Sequence, residues 1–387
     1  MIDRVRLRDV AEVFNGKTPS KGEQRDSGHP VLKIRDVDEH GQHRRAGLSF
    51  VDPRLAAKYR SKWVRLGDTL ILNAAHNADY VASKTYFAGD EAVGSMATGE
   101  WLLVRPRSGA VHPAFANYWL RSNRTREAIR FLVKGIHLYP KDVAELELFR
   151  PPIAEQRRIV DLLARAEGIV RLRREAQEKA AELIPAIFID MFGNPATNPK
   201  QWPVRRFGDV GSLDRGKSRH RPRDASVLYG GPYPFIQTGD VANSGGRIRT
   251  YTAAYSAVGL AQSKLWKAGT LCITIAANIA KTGVLEFDAC FPDSVVGFIP
   301  GDLVLVEFVQ AWLDFLQPML EANAPQAAQK NINLEILRAL PIPVPSIGLQ
   351  RAFVDRVERV LSISRQQAAA LNKATATFDT LLSRAFH

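Results

Sequence analysis

The chain is written twice, and this limits its architecture more than any other feature. Arg6, Asp9, Val10, Gly16 and Lys17 recur 200 residues later as Arg206, Asp209, Val210, Gly216 and Lys217. Pro30, Asp36 and Val37 recur 204 later as Pro234, Asp240 and Val241. The offset falls to 194 by Leu146, Pro151, Ile153, Gln156, Arg157, Val160, Asp161 and Arg165, which match Leu340, Pro345, Ile347, Gln350, Arg351, Val354, Asp355 and Arg359. A period of roughly 195 residues is too long for a solenoid, and each copy is large enough to bury its own core. The expectation is a duplicated domain pair with a pseudo-two-fold axis.

Each copy divides again. Its first part, 1–150 or 201–344, mixes short β-like runs with Gly- and Asn-rich turns: Pro30 to Ile34, Thr69 to Leu72 and Trp101 to Val104, then Phe235 to Thr238, Thr270 to Ile275 and Val295 to Ile299. Each has one helical stretch, Ala114 to Leu132 or Leu303 to Leu320. That pattern predicts a compact α/β or α+β domain. The second part, 151–200 or 345–387, opens after RPPIAEQRR or PIPVPSIGLQR, where proline ends a strand and a helix begins just beyond.

Those helices share one period. Ile159, Leu163, Ala166, Val170, Arg173, Gln177, Ala180, Ile184, Ile187 and Met191 step by 4 and 3. Phe353, Val357, Val360, Ser364, Gln367, Leu371, Ala374, Phe378, Leu381 and Ala385 step identically. Four heptads of this kind predict that the two helices pair as a coiled coil, most simply with each other, with the polar layers at mid-length helping to fix register; two independent surface helices are the alternative. Pro185 is expected to kink or end the first helix near Ile184, leaving AIFIDMFGNP as a separate helical turn before the linker NPATNPKQWP.

The net charge of +13 divides as +8 over 1–200 and +5 over 201–387, so no single tail holds it. Such an excess favours a polyanionic partner. The start, MIDRVRLRDVAEVF, has early acids and no apolar core, unlike a secretory signal. The most apolar stretch, Leu303 to Leu320, is interrupted by Glu307 and Asp314, so no spanning helix is expected. Cys272 and Cys290, both in apolar surroundings, suit a reducing cytoplasmic compartment.

Motifs of self-contained catalysis are missing: no GxxxxGK[ST], no GxGxxG after a strand, no nucleophile elbow, no HExxH. A stand-alone methyltransferase or nuclease would be expected to carry an Asn/Asp-Pro-Pro-aromatic tetrapeptide, and Arg150-Pro151-Pro152-Ile153 lacks both flanking residues. A sequence-nonspecific coiled-coil scaffold is the other alternative. His40 and His43 flank a glycine turn without a cysteine, so a solvated loop is expected there and no metal site.

The basic loops stand out. In RGKSRHRPR, Arg215, Lys217, Arg219, Arg221 and Arg223 alternate with no acid among them, a spacing suited to phosphates. The first copy has Lys17, Lys21 and Arg25 after the same Gly-Lys pair. Lys33, Arg35, Gln237 and Thr238 are placed at the end of the following strand, with donors and acceptors suited to base edges in the major groove.

Taken in order and twice over, these features resemble the DNA-specificity (S) subunits of type I restriction-modification enzymes. The carrying residues are Gln156-Arg157-Arg158 and Gln350-Arg351 at the proline junctions, Met191 to Pro195 with Trp202 to Val204, Phe207 to Lys217, and Gly135 to Pro140 with Lys330 to Glu335. The resemblance implies two target-recognition domains, 1–150 and 201–344, each followed by a long helix of an antiparallel spacer. It also implies assembly on double-stranded DNA with two methyltransferase subunits and with restriction subunits. The chain itself would hold no cofactor, S-adenosylmethionine belonging to the methyltransferase. Pro185 and the stop at Phe386-His387 depart from the family pattern. From Ala154 to Ile184, 31 residues give about 46 Å of helix, enough to hold two half-site readers roughly one DNA turn apart.

Overall fold

The computed structural model describes residues 3–44, 49–276, 279–322 and 332–386; Lys330 and Asn331 of the KNINLE passage lie outside them. The chain forms two compact units, Met1–Arg174 with Ala369–His387, and Glu175–Ala368.

In the first unit, strand β1 (Asp3–Arg6) leads into β2 (Ala11–Asn15), β3 (His29–Leu32), β4 (Ser49–Val51), β5 (Thr69–Leu72), β6 (Thr85–Phe87), β7 (Met96–Ala97) and β8 (Trp101–Pro106). Helices α1 (Pro113–Arg121) and α2 (Asn123–Phe131), strand β9 (Glu147–Arg150) and the long helix α3 (Ile153–Phe192) follow. The central sheet is antiparallel in the order β2-β8-β5-β6. All of β5 is buried, as a strand covered on both faces requires, and helix α1 packs Phe115, Ala116 and Trp119 into the core that also holds Leu102 and Val104. Strand β1 pairs with β9, Asp3 opposite Arg150, so the chain enters and leaves side by side.

The second unit repeats the plan with β10 (Val204–Arg206), β11 (Gly211–Arg215), β12 (Tyr229–Phe235), β13 (Gly246–Ile248), β14 (Ala253–Tyr255), β15 (Leu271–Thr274), β16 (Thr282–Leu285) and β17 (Val295–Pro300). Helix α4 (Val306–Ala322), strand β18 (Pro341–Pro343) and the long helix α5 (Ile347–Ala385) complete it. Its sheet runs β11-β17-β15-β16-β13, with β13 added parallel at the edge, and β10 pairs with β18 as β1 does with β9. Among the described residues no helix is long and apolar enough to cross a membrane.

The periodic positions of the long helices are the sheltered ones. In the first unit Ile159, Leu163, Ala166 and Val170 of α3 share a core with Leu371, Ala374, Phe378 and Leu381 of α5. In the second, Ile184 packs against the core that contains Phe353 and Val357, and Ala180 and Val360 are buried as well. The start of α3 meets the end of α5 in one unit, and its end meets the start of α5 in the other, which is the order of an antiparallel pair.

Three expectations are corrected. Helix α3 passes through Pro185 without a break and runs 40 residues, about 60 Å, rather than stopping near Ile184. The proline removes one helical hydrogen bond, but the next turns bury Phe188, Met191 and Phe192 against Phe308 and Phe353, and that burial outweighs the loss. The helical stretch after β8 is two helices, because Ser122 turns the chain and its hydroxyl caps the second. Residues 236–238 are no strand: β12 ends at Phe235, and Gln237 caps a short helix, Thr238–Ala242.

The Gln-Arg signature is explained by buried hydrogen bonding. Gln156 Oε1 accepts from the His112 amide (2.8 Å) while its Nε2 donates to the Pro151 carbonyl (2.8 Å). Gln350 repeats this with the Leu305 amide (2.8 Å) and the Pro345 and Leu303 carbonyls (2.9 and 3.0 Å). Each glutamine thus pins a long helix to the start of the helical segment before it. Gln350→Ala strands those buried groups, each worth about 1–3 kcal/mol, so urea unfolding is expected to show a loss of about 2–4 kcal/mol. A loss below about 0.5 kcal/mol contradicts the pin.

Candidate nucleic-acid interface

The loops with chemistry leave one end of each central sheet. In the first unit β2 ends at Asn15 opposite Leu102, and β5 ends at Leu72 opposite Trp101, so the loops after both strands emerge together. Buried Asn73 ties them, its Nδ2 donating to Asn15 Oδ1 (2.9 Å) and to the Gly99 carbonyl (3.0 Å). In the second unit Arg215 and Thr274 end their strands opposite Val296 and Val295 in the same way.

The repeated Gly-Lys pair fixes where each basic loop begins. The Gly16 and Lys17 amides donate to Trp101 and Ala97 carbonyls (2.9 and 2.8 Å), and those of Gly216 and Lys217 to Val295 and Phe291 (2.9 and 3.0 Å). A Cβ at Gly16 would collide with the Ala97 and Thr98 carbonyls, and one at Gly216 with those of Phe291 and Pro292, so only glycine allows this approach. A second repeated device follows. The Lys33 amide donates to Asp36 Oδ2 (2.7 Å) and the Gln237 amide to Asp240 Oδ2 (2.8 Å), each capping a helical turn. Lys33, Arg35, Gln237 and Thr238 therefore sit on rigid capped turns just beyond their strands, not at the strand ends.

The predicted cations separate into open and engaged ones. Arg215, Lys217 and Arg219 are exposed and have no carboxylate partner among the described residues. Arg221 instead donates to the Ser218 and His220 carbonyls (2.8 and 2.9 Å), and Arg223 is clamped on Asp293 (2.9 Å). In the first unit Lys17 and Lys21 are exposed, Lys17 lying 5.5 Å from the Tyr59 ring, whereas Arg25 folds back on the Gly22 and Gln24 carbonyls. Arg35 donates to the Ser49 hydroxyl (3.0 Å).

Distant residues support these loops. Lys84 Nζ donates to the Ile34 and Val37 carbonyls (3.3 and 2.6 Å), holding the turn that carries Lys33 and Arg35; burial, then the Arg44 charge, push its pKa down. Lys62 Nζ donates to the Asn15 carbonyl (2.6 Å), and its pKa too is lowered by burial. Lys264 lies 3.7 Å from the Trp266 ring centre. Ala82 and Ala280 hold the left-handed conformation, φ 61° and 55°, and their amides return the loops to the Leu72 and Thr274 carbonyls (2.7 and 2.8 Å). Strain of this kind, repeated at the same sheet end, is typical of functional loops. Single lysines and alanines carry no sequence pattern that would have singled them out.

Two copies of one scaffold each present open cations and capped polar side chains at a sheet end, an arrangement suited to binding a polyanion. Residues 199–373 match the family model of the type I restriction modification DNA specificity domain. The chain is 20% identical to the putative type I restriction enzyme MjaX specificity subunit of Methanocaldococcus jannaschii, over 97% of this chain and 91% of that one. It is 28% identical to the type I restriction enzyme EcoBI specificity subunit of Escherichia coli, over 30% of this chain and 26% of that one. Its fold is similar to the type I restriction-modification system S subunit from M. genitalium (TM-score 0.57, 15% identity, covering 100% of this chain and 96% of that one). A structure described for the assembly and conformational transition of the type I R-M system is likewise similar (TM-score 0.62, 20% identity, covering 100% and 97%). Residues 199–373 thus carry the type I restriction modification DNA specificity domain, and over its whole length the chain is similar to the specificity subunits of type I restriction-modification systems.

Proposed function

We propose that the chain reads a bipartite, asymmetric DNA target, one half-sequence through each of two recognition domains, 1–150 and 201–344. Helices 151–200 and 345–387, paired as a coiled coil, act as the spacer and dock two methyltransferase subunits together with restriction subunits. The carrying observation is a shared backbone with unlike side chains. The same Gly-Lys pair and the same aspartate-capped turn present Lys33 and Arg35 in one unit but Gln237 and Thr238 in the other. Arginine and lysine suit guanine edges, glutamine suits adenine, and hydroxyls are adaptable, so the two half-sites should differ. Lys17 and Lys21, and Arg215, Lys217 and Arg219, are the phosphate contacts in this reading; Arg25, Arg221 and Arg223 shape the loops.

The test is domain exchange. Replacing residues 1–150 by another specificity subunit's recognition domain is expected to change one half-site of the methylated target and keep the other. Inserting about four residues in both long helices is expected to lengthen the unspecified spacer and keep both half-sites. A target changed on both sides by the exchange, or a spacer indifferent to helix length, contradicts the reading.

A further inference from the structure

The loop after β5 has four more residues than its counterpart in the second unit. Between the strand end and the returning alanine it spans 73–81, against 275–279. The extra length builds a turn, Ala78–Tyr80, whose first amides are capped by the Asn77 side chain, which accepts from the Asp79 amide (3.1 Å). The next two residues, Val81 and Ala82, are buried in the core of the unit at 1% and 8% exposure. Tyr80 stands on this anchored turn at 63% exposure. Held out on this anchored turn, its ring is free to meet a partner. Tyrosine also loses little conformational entropy when it is engaged.

The surroundings indicate which partner. Asn73 ties this loop to Asn15, immediately before the Gly16-Lys17 pair, so Tyr80 belongs to the loop cluster that carries the basic segment. A depression of about 440 Å³ beside the turn is lined by Ala78, Asp79, Val81, Arg130, Val133 and Gly135. Arg130 has no carboxylate partner among the described residues, leaving its guanidinium open to a phosphate. The Leu138 amide donates to the Asn73 carbonyl (2.8 Å), which holds the segment bearing Ile136 and Tyr139 against the loop.

We propose that Tyr80 is a base-contacting, specificity-determining residue of the first unit, its ring lying against a base edge while Arg130 engages an adjoining phosphate. This rests on the DNA-reading function and deepens it, because the second unit's shorter loop has no counterpart to Tyr80. An apolar ring edge favours the thymine methyl, and the phenol hydroxyl can bond a neighbouring acceptor.

The experiment uses the full chain assembled with its methyltransferase and the cognate duplex, plus a panel in which each base pair of the target is replaced in turn. Tyr80→Ala is expected to weaken cognate binding about 5- to 100-fold and to erase the preference at one or two positions of one half-site, the other half-site keeping its profile. Tyr80→Phe keeps the ring and should keep most of that preference. Arg130→Gln is expected to weaken all duplexes alike and to lower the log-log salt slope by about 0.9. A Tyr80→Ala profile identical to that of the unaltered chain overturns the assignment, as does failure of that variant to assemble with the methyltransferase, which would make the surface a protein contact. If the unaltered complex shows no base preference at all, the DNA-reading function itself fails, separately from Tyr80.

Discussion

Changing Arg215, Lys217 and Arg219 together to glutamine is expected to lower the affinity of the assembled protein for every duplex by about 100- to 500-fold near 0.1 M salt. Each neutralised phosphate contributes about 0.9 to the slope of log affinity against log salt, so three should flatten it by about 2.7. These three are the members of the basic loop with open charges. Arg223→Gln is the internal control: its guanidinium is held by Asp293, so it should leave the slope nearly unchanged. A triple variant with unaltered salt dependence, or a control that flattens the slope as much, would contradict the assignment of phosphate contacts.

The largest effect on stability is expected inside the first unit. Arg105 donates from Nε and Nη2 to both carboxylate oxygens of Asp68 (2.9 and 2.7 Å), from Nη2 also to the Trp63 carbonyl (2.6 Å) and from Nη1 to the Ser61 carbonyl (3.2 Å), with the pair buried. Asp68→Ala leaves an uncompensated charge in the interior and should cost about 3–5 kcal/mol of unfolding free energy, measured by urea titration. Replacing both residues by apolar ones, Asp68→Ala with Arg105→Leu, should recover much of that loss. The repeat supports this: Arg105 corresponds to Ile299, so the second unit builds the same sheet without the pair. A single substitution costing under about 1 kcal/mol would show the pair to be dispensable.

The parts of this molecule legible in its sequence are those where one backbone geometry accepts one residue type. Gly16 and Gly216 recur because carbonyl oxygens leave no room for a Cβ. Asp36 and Asp240 recur because a carboxylate must cap a turn, and Gln156 and Gln350 because both ends of a buried amide are used. The heptad pattern was legible for the same reason, since each apolar position meets a core. Proline misled at Pro185 because local chemistry argues for a break while Phe188 and Phe192, one and two turns on, secure the helix by distant packing. The division of the cations was hidden too: Asp293, which occupies Arg223, lies 70 residues away in sequence. Nothing in their local sequence shows that Ala82 and Ala280 are left-handed, and Tyr80 stands out only once Val81 and Ala82 are known to be buried.

The most direct test of the central claim is sequencing of methylated sites in cells that make this chain together with its methyltransferase. Two short, unlike half-sites separated by a fixed number of unspecified base pairs are the predicted result. A single continuous motif, or a palindrome read identically by both units, would contradict it.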